Sequence, residues 1–169
     1  MALEVGIGAA LAGAKAMVVM KHVGVNVAAD PLFTLSYTGT NGALVIITAD
    51  DPSLHSSQNE QDNRNYAKFA KIPMIEPADS QEAKDYIKTA FDISERFDTP
   101  VFLRTTTRVS HSKSVVTLGE LSSVSDHTAI QVNANKYVMV PAYARARRIE
   151  IEKRMNRIRE FADSFSGNR

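Results

Sequence analysis

The apolar run ALVIIT, residues 43–48, constrains the fold of this chain more than any other stretch. Its apolar residues follow one another with no polar residue between them. A strand with one face in water alternates between apolar and polar residues, whereas a parallel strand covered on both faces does not. Two other runs, AMVVM at residues 16–20 and PVFLRTT at residues 100–106, also have the composition of strands. We therefore predict a parallel sheet with ALVIIT buried inside it.

Segments with helical periodicity lie between the predicted strands. They span residues 2–14, 23–37 (interrupted by Pro31) and 62–71, and a further helix begins at a capping box formed by Asp79 and Glu82. A brief strand, IPMIE, precedes that capping box. Alternating strands and helices predict an α/β fold, a parallel sheet flanked by helices and joined by right-handed crossovers.

The chain changes character after about residue 117. Residues 119–136 are polar and irregular, and residues 143–165 predict one long amphipathic helix. Its apolar stripe consists of Ile151, Met155, Ile158, Ala162 and Phe165. We predict a domain at residues 1–117, followed at 118–169 by a polar linker and this helix. The basic residues of the helix alternate with acidic ones, which predicts a solvated face and no nucleic-acid binding.

Composition excludes several classes of protein. The formal net charge of +1 gives no general attraction to nucleic acid or acidic lipid. The chain has no cysteine, so it holds no disulfide, thiolate metal site or iron–sulfur cluster of its own. Its first twenty residues are apolar, but Glu4 and Lys15 argue against a signal peptide or a membrane span. We therefore predict a cytoplasmic location and no membrane segment.

The polar stretch ADDPSLHSSQNEQDNRNYAKFAK, residues 49–71, follows directly on the buried run. A strand-to-helix connection in an α/β protein usually takes about 2–6 residues, and this one is longer. Ligands of open α/β sheets bind beyond the carboxyl ends of the strands, so we predict that the stretch forms one wall of a polar site there. Asp50 and Asp51 of the stretch are predicted at that edge. The polar groups predicted there from other parts of the chain are Lys21, His22, Arg104, Arg108, Ser110 and His111.

Each of these features also has a simpler interpretation. Asp50 to Ser53 could be a turn, Asn59 or Asp62 could cap the next helix, and Lys21 with His22 could be a solvated strand end. The four histidines are too scattered for a metal site. Within the stretch, His55 and Gln58 are the preferred site residues, since both side chains can donate and accept hydrogen bonds.

Long segments of the chain resemble one known family. The segments KHVGVNVAADP, DDPSLHSSQNEQDNR and FDTPVFLRTTTRVSHSK are similar to the large (α) subunits of indolepyruvate:ferredoxin oxidoreductases, within the 2-oxoacid:ferredoxin oxidoreductase superfamily. The resemblance implies a thiamine-diphosphate enzyme that oxidatively decarboxylates aryl 2-oxo acids such as indolepyruvate to acyl-CoA. Electrons would pass through iron–sulfur clusters to ferredoxin. It also implies a truncated thiamine-diphosphate-binding fold, the domain that faces the aminopyrimidine ring of the cofactor.

In an enzyme of this family, the residues predicted at the sheet edge would have the following roles. Lys21 and His22 would contact the cofactor, and the substrate would meet Asp50, His55, Gln58 and Arg108. The family's catalytic glutamate matches a position just before Ala2, and Glu4 is not its equivalent. His55, chosen above for the chemistry of its side chain, is the candidate catalytic residue. Mg²⁺, the diphosphate site and the clusters belong to other parts of the full-length protein, as do the smaller (β) subunit and ferredoxin as partners. No metal site and no tightly bound cofactor are expected on this chain.

Two expectations concern the chain by itself. As a fragment of a longer enzyme it should be inactive alone, and it should form a homo-oligomer through the surface from Lys21 to Pro31, with Val23, Val25 and Val27 partly exposed. The alternative is a stand-alone flavodoxin-like binding or interaction module without catalytic activity.

Overall fold

The computed structural model describes residues 1–120, 129–130 and 132–168. Within these residues the strands are β1 (Lys15–Lys21), β2 (Ala43–Asp50), β3 (Met74–Ile75) and β4 (Val101–Thr106). They form one sheet in the order β1-β2-β4-β3, and every neighbouring pair is parallel. The predicted parallel α/β fold is confirmed.

Helices cover both faces of this sheet. They are α1 (Ala2–Leu11), α2 (His22–Val27), α3 (Ala29–Thr38), α4 (Asn63–Ala70), α5 (Ser80–Phe97), α6 (Thr107–His111), α7 (Ala134–Tyr137) and α8 (Pro141–Asp163). Leu44 and Ile46 of β2 belong to a core with residues of α1, α3 and α4, while Val45 lies in a second core with residues of α5 and α8. Both faces of β2 are thus buried, which is why its sequence is continuously apolar.

The segment predicted as one helix interrupted at Pro31 is two helices that meet at Ala28. Pro31 lies in the first turn of α3. The first backbone N–H groups of a helix have no partner within it, so a proline costs little there. Of the valines predicted to be partly exposed, Val27 is 86% exposed, but the prediction is wrong for Val25, which faces the core and is 1% exposed.

Helix α8 packs on the domain through a buried arginine. The prediction of a solvated basic face is wrong for Arg154, which is 3% exposed and lies between the buried Ile151 and Ile158. Its guanidinium donates to the carbonyl oxygens of Ser36 and Asp98, at 2.5 and 2.8 Å. Ala162, predicted on the apolar stripe, is exposed.

Arg147 of the same helix donates through Nε to the Tyr37 carbonyl oxygen at 2.8 Å. The last carbonyl oxygens of a helix have no N–H donor within that helix. At the end of α3, Arg147 and Arg154 of α8 donate to them instead.

Residues 117–120 lie along the outer face of α5. The backbone N–H of Thr117 donates to Gln81 Oε1 at 2.7 Å, and its carbonyl oxygen accepts from Lys84 Nζ at 2.8 Å. Lys88 Nζ donates to the carbonyl oxygen of Glu120 at 2.9 Å. All three contacts use the main chain of this segment. Among the helices described, none is long and apolar enough to cross a membrane.

Candidate functional site

The polar loop, residues 51–62, connects β2 to α4 at the carboxyl edge of the sheet. Because β1, β2 and β4 are parallel, their ends at Lys21, Asp50 and Thr106 lie at this same edge. The structure therefore brings together groups that are far apart in the sequence, as the strand pattern predicts.

Asp51 is the buried carboxylate of the loop, 4% exposed. One of its oxygens, Oδ1, accepts from the His55 N–H at 3.2 Å and from the Thr107 hydroxyl at 2.8 Å. The other, Oδ2, accepts from the Ser56 N–H at 2.7 Å and from the Ser57 hydroxyl at 2.5 Å. These hydrogen bonds, with that of Ser57 the strongest, hold the pKa of Asp51 well below its usual range. Asp51 is therefore ionised at neutral pH.

Lys21 and His22 hold the other side of the loop. Lys21 Nζ donates to the carbonyl oxygen of Ser56 and lies 3.9 Å from Oδ2 of Asp51. His22 is fully buried, and its Nε2 lies 3.1 Å from the carbonyl oxygen of Asn59. Since a carbonyl oxygen only accepts, Nε2 carries the proton. Within the part of the chain described, the buried Nδ1 atom of His22 has no partner.

The loop contains two residues in the left-handed region. Ser53 has a φ of 67° and Leu54 a φ of 57°. Such a conformation costs about 1–3 kcal/mol for a non-glycine residue and persists only where the surroundings enforce it. Beyond these two residues the loop exposes His55, Ser56 and Gln58 to solvent.

Behind the loop, Asp50 and Arg104 form a buried ion pair. Arg104 Nε lies 2.6 Å from Asp50 Oδ2, and Nη1 lies 2.6 Å from Glu76 Oε2. Asp50 also accepts from the backbone N–H and the side-chain Nδ2 of Asn63, at 3.1 and 2.6 Å. This network joins β2 and β4 to the first residue of α4. Asp62 accepts from the Arg64 N–H and caps α4, as predicted.

The remaining residues predicted at this edge lie on α6. Arg108, Ser110 and His111 are exposed. Among the described residues, the Arg108 guanidinium has neither a hydrogen bond nor an ion pair, whereas Ser110 donates to Thr105 Oγ1 at 3.3 Å.

Three residues that the sequence analysis did not single out hold the site together. They are Ser57, Asn63 and Thr107. Thr107 follows directly on a predicted strand, so the rule that ligands bind beyond the carboxyl ends of parallel strands could have included it. Ser57 is one of several hydroxyl residues in the loop, and no pattern distinguishes it before the backbone path is known.

An open cleft of about 370 Å³ lies beside the end of β1. It is lined mostly by apolar groups of the first residues of the chain, of the end of β1 and of α2 and α3, among them Leu3, Met20, Gly24, Val27 and Pro31. In the described residues, no group of three His, Cys, Asp or Glu side chains could hold a metal ion.

Comparison with known proteins agrees with this architecture. Residues 2–160 match the family described as pyruvate flavodoxin/ferredoxin oxidoreductase, thiamine diphosphate-binding. The indolepyruvate oxidoreductase subunit IorA of Archaeoglobus fulgidus is 49% identical over 99% of this chain and 27% of its own length. The subunits of the same name from Methanothermobacter marburgensis and Pyrococcus horikoshii are 45% and 48% identical, over 99% and 94% of the chain. The chain thus spans about a quarter of the length of the curated relatives it matches. No solved structure matches it.

Proposed function

Because the chain belongs to the thiamine-diphosphate-binding family of the pyruvate flavodoxin/ferredoxin oxidoreductases, we propose that it is the pyrimidine-facing part of an indolepyruvate oxidoreductase. The full-length enzyme would oxidatively decarboxylate aryl 2-oxo acids to acyl-CoA, with ferredoxin as the electron acceptor, and would act in the cytoplasm. The family match over residues 2–160 carries this proposal. The polar loop at the carboxyl edge of the sheet supports it.

The residues present fit one part of the cofactor. The apolar cleft beside β1 suits a flat heteroaromatic ring. His22, whose buried Nδ1 atom has no partner among the described residues, is the first residue of α2, and Gly24 and Val27 of that helix line the cleft. Bound thiamine diphosphate would supply the carbon nucleophile that a 2-oxo acid requires. In this proposal the diphosphate, its Mg²⁺ and the iron–sulfur clusters would be held by other parts of the full-length enzyme. Among the described residues, no group of three His, Cys, Asp or Glu side chains could hold a metal ion.

Arg108 is our choice for the residue that meets the substrate carboxylate. Lys21 and His22 also lie at this edge, but both already hold main-chain groups of the polar loop. Arg108 is exposed at the same edge, and within the described residues its guanidinium is unpaired. An arginine can bind a carboxylate through two parallel hydrogen bonds. Asp50 would act on the substrate only indirectly, since its carboxylate already accepts from Arg104 and Asn63.

The relatives are subunits of an enzyme, and we propose that this chain is likewise covered by neighbours in its assembly. Val27 lines the cleft and is 86% exposed, and Val5 of α1, the helix whose first residues line the same cleft, is 73% exposed. Apolar side chains of this size that stand in water on one surface commonly mark an interface. The smaller (β) subunit and a second copy of the chain are the partners proposed.

The first test compares two proteins, the full-length subunit assembled with its partner and the 169-residue chain alone. We expect the assembled enzyme to turn over indolepyruvate with thiamine diphosphate, Mg²⁺, coenzyme A and a one-electron acceptor. The isolated chain should show no turnover, because it has no cysteine for the clusters and no Mg²⁺ site among its described residues. If the assembled protein is folded yet binds no thiamine diphosphate, the stand-alone binding module is the better interpretation.

His55→Ala in the full-length enzyme should lower kcat/KM for indolepyruvate about tenfold, which corresponds to roughly 1.4 kcal/mol of transition-state stabilisation. The side chain of His55 is exposed, so its removal should leave the melting temperature nearly unchanged. Steady-state kinetics and thermal unfolding on the same preparation provide the check. Unchanged kinetics, or a large loss of stability, would contradict a role in the site.

A further inference from the structure

We propose that Asp51 is the positioning residue of the polar loop: its carboxylate holds the backbone N–H groups of His55 and Ser56 and the hydroxyl of Ser57, and thereby fixes the direction in which His55 leaves the loop. The inference rests on the proposed function for the role of His55. The geometry that supports it is independent of any reaction.

Asp51 has no free capacity to bind a ligand itself. A carboxylate offers about four acceptor positions. In this structure Oδ1 accepts from His55 and Thr107, and Oδ2 accepts from Ser56 and Ser57. The side chain is also buried. Its role must therefore pass through the groups it holds, and three of those four groups belong to consecutive residues of the loop.

Ser56 is the residue held most completely. Its N–H donates to Asp51, and its carbonyl oxygen accepts from Lys21. Both main-chain polar groups of this residue are thus tied to the ends of different strands, β2 and β1. The peptide plane on each side of Ser56 has little freedom to rotate, and His55 immediately precedes it.

Residues 55–57 need this support because of the backbone conformation of the two loop residues that precede them. Ser53 and Leu54 have positive φ angles and carry side chains, so the local backbone does not favour this path. The hydroxyl of Thr107 adds a tie from the residue that follows β4. Bonds from three strand ends therefore enforce a loop shape that its own sequence would not adopt.

The test is Asp51→Asn in the full-length enzyme, with Asp62→Asn as the matched control. Asp62 ends the same loop but caps α4 and makes no bond to residues 55–57. The ionised Asp51 side chain only accepts hydrogen bonds, whereas an asparagine side chain has an NH₂ group that donates. In Asp51→Asn this NH₂ group would face some of the four donors that bind Asp51, and those hydrogen bonds would be lost. By hydrogen-exchange mass spectrometry, we expect the amides of His55 and Ser56, which donate to Asp51, to exchange at least tenfold faster in Asp51→Asn and at the parent rate in Asp62→Asn. Exchange in β2 and β4 should not change in either.

A double-mutant cycle with His55→Ala tests positioning rather than plain stability. If Asp51 acts through His55, Asp51→Asn should lower kcat/KM about tenfold, and His55→Ala should add no further loss in that background. Two independent tenfold losses would overturn the proposal, and so would unchanged exchange at His55 and Ser56. The exchange measurement tests the effect of Asp51 on the loop without any use of activity. If His55→Ala does not change kcat/KM in the parent enzyme, that result counts against the proposed function and not against the exchange result.

Should Asp51→Asn fail to fold, Ser57→Ala and Thr107→Val each remove one of the four bonds. Each should raise exchange at His55 and Ser56 by a smaller factor than that expected for Asp51→Asn. Parent-like exchange in both variants would equally overturn the proposal.

Discussion

Arg104→Met lowers the free energy of unfolding by about 3–5 kcal/mol in our expectation, because it leaves the buried carboxylate of Asp50 without its partner. Arg104 is 6% exposed, and its guanidinium bridges Asp50 and Glu76 across the ends of β2, β4 and β3. Methionine fills a similar volume but donates no hydrogen bond. Asn63 would remain as a donor to Asp50, and it cannot replace a positive charge.

The control for Arg104→Met is Arg64→Met, which removes an arginine that pairs with Asp62 in an exposed position. Exposed ion pairs contribute about 0.2–1 kcal/mol, so urea unfolding should separate the two variants clearly. Equal losses would show that burial does not set the cost at Arg104. The double variant Asp50→Asn, Arg104→Met should recover part of the loss, since it removes the unpaired charge as well.

Arg154→Leu should cost roughly 2–4 kcal/mol of unfolding free energy, because one buried and one part-buried carbonyl oxygen lose a charged donor. Burial lowers the pKa of Arg154 to about 10, which leaves the guanidinium charged at neutral pH. The oxygens that it satisfies belong to Ser36, near the end of α3, and to Asp98, directly after α5. Leucine keeps much of the apolar contact of the side chain. It removes the two donors together with the buried charge and the Nε atom, which has no partner among the described residues.

Arg157 provides the comparison for Arg154 on the same helix. It is exposed, and Arg157→Leu changes the same residue type in the same way. Surface substitutions of this kind usually change stability by less than about 0.5 kcal/mol. Thermal and urea unfolding of both variants measure the difference, and similar losses would mean that the carbonyl contacts of Arg154 contribute nothing.

The sequence was sufficient for the sheet because burial on both faces leaves a direct trace in composition. Leu44 and Val45 pack into the cores on opposite faces of the sheet, and this is why ALVIIT has the continuous apolar pattern of a buried parallel strand. It was insufficient for Arg154, since an arginine within a mixed-charge helix has the same pattern whether it faces water or the ends of two other helices. Only tertiary packing decides between the two, and the same holds for Val25.

At the site, the sequence predicted the edge and the residue types but not the partners. Parallel strands bring their carboxyl ends together, so Lys21, Asp51 and the loop could be placed at one edge in advance. Which donors Asp51 binds depends on the turn through Ser53 and Leu54. Left-handed conformations are typical of glycine and asparagine, and neither residue occurs at these positions to indicate the turn.

The segment at residues 117–120 has a consequence for how this protein can diverge. Helix α5 contacts it through the N–H of Thr117 and the carbonyl oxygens of Thr117 and Glu120, which every amino acid except proline supplies in full. Side chains here are therefore free to drift during evolution. The constraint falls instead on Gln81, Lys84 and Lys88, whose long polar side chains reach the segment. Two stretches in contact would then evolve at different rates, the exposed segment quickly and the helix face beneath it slowly.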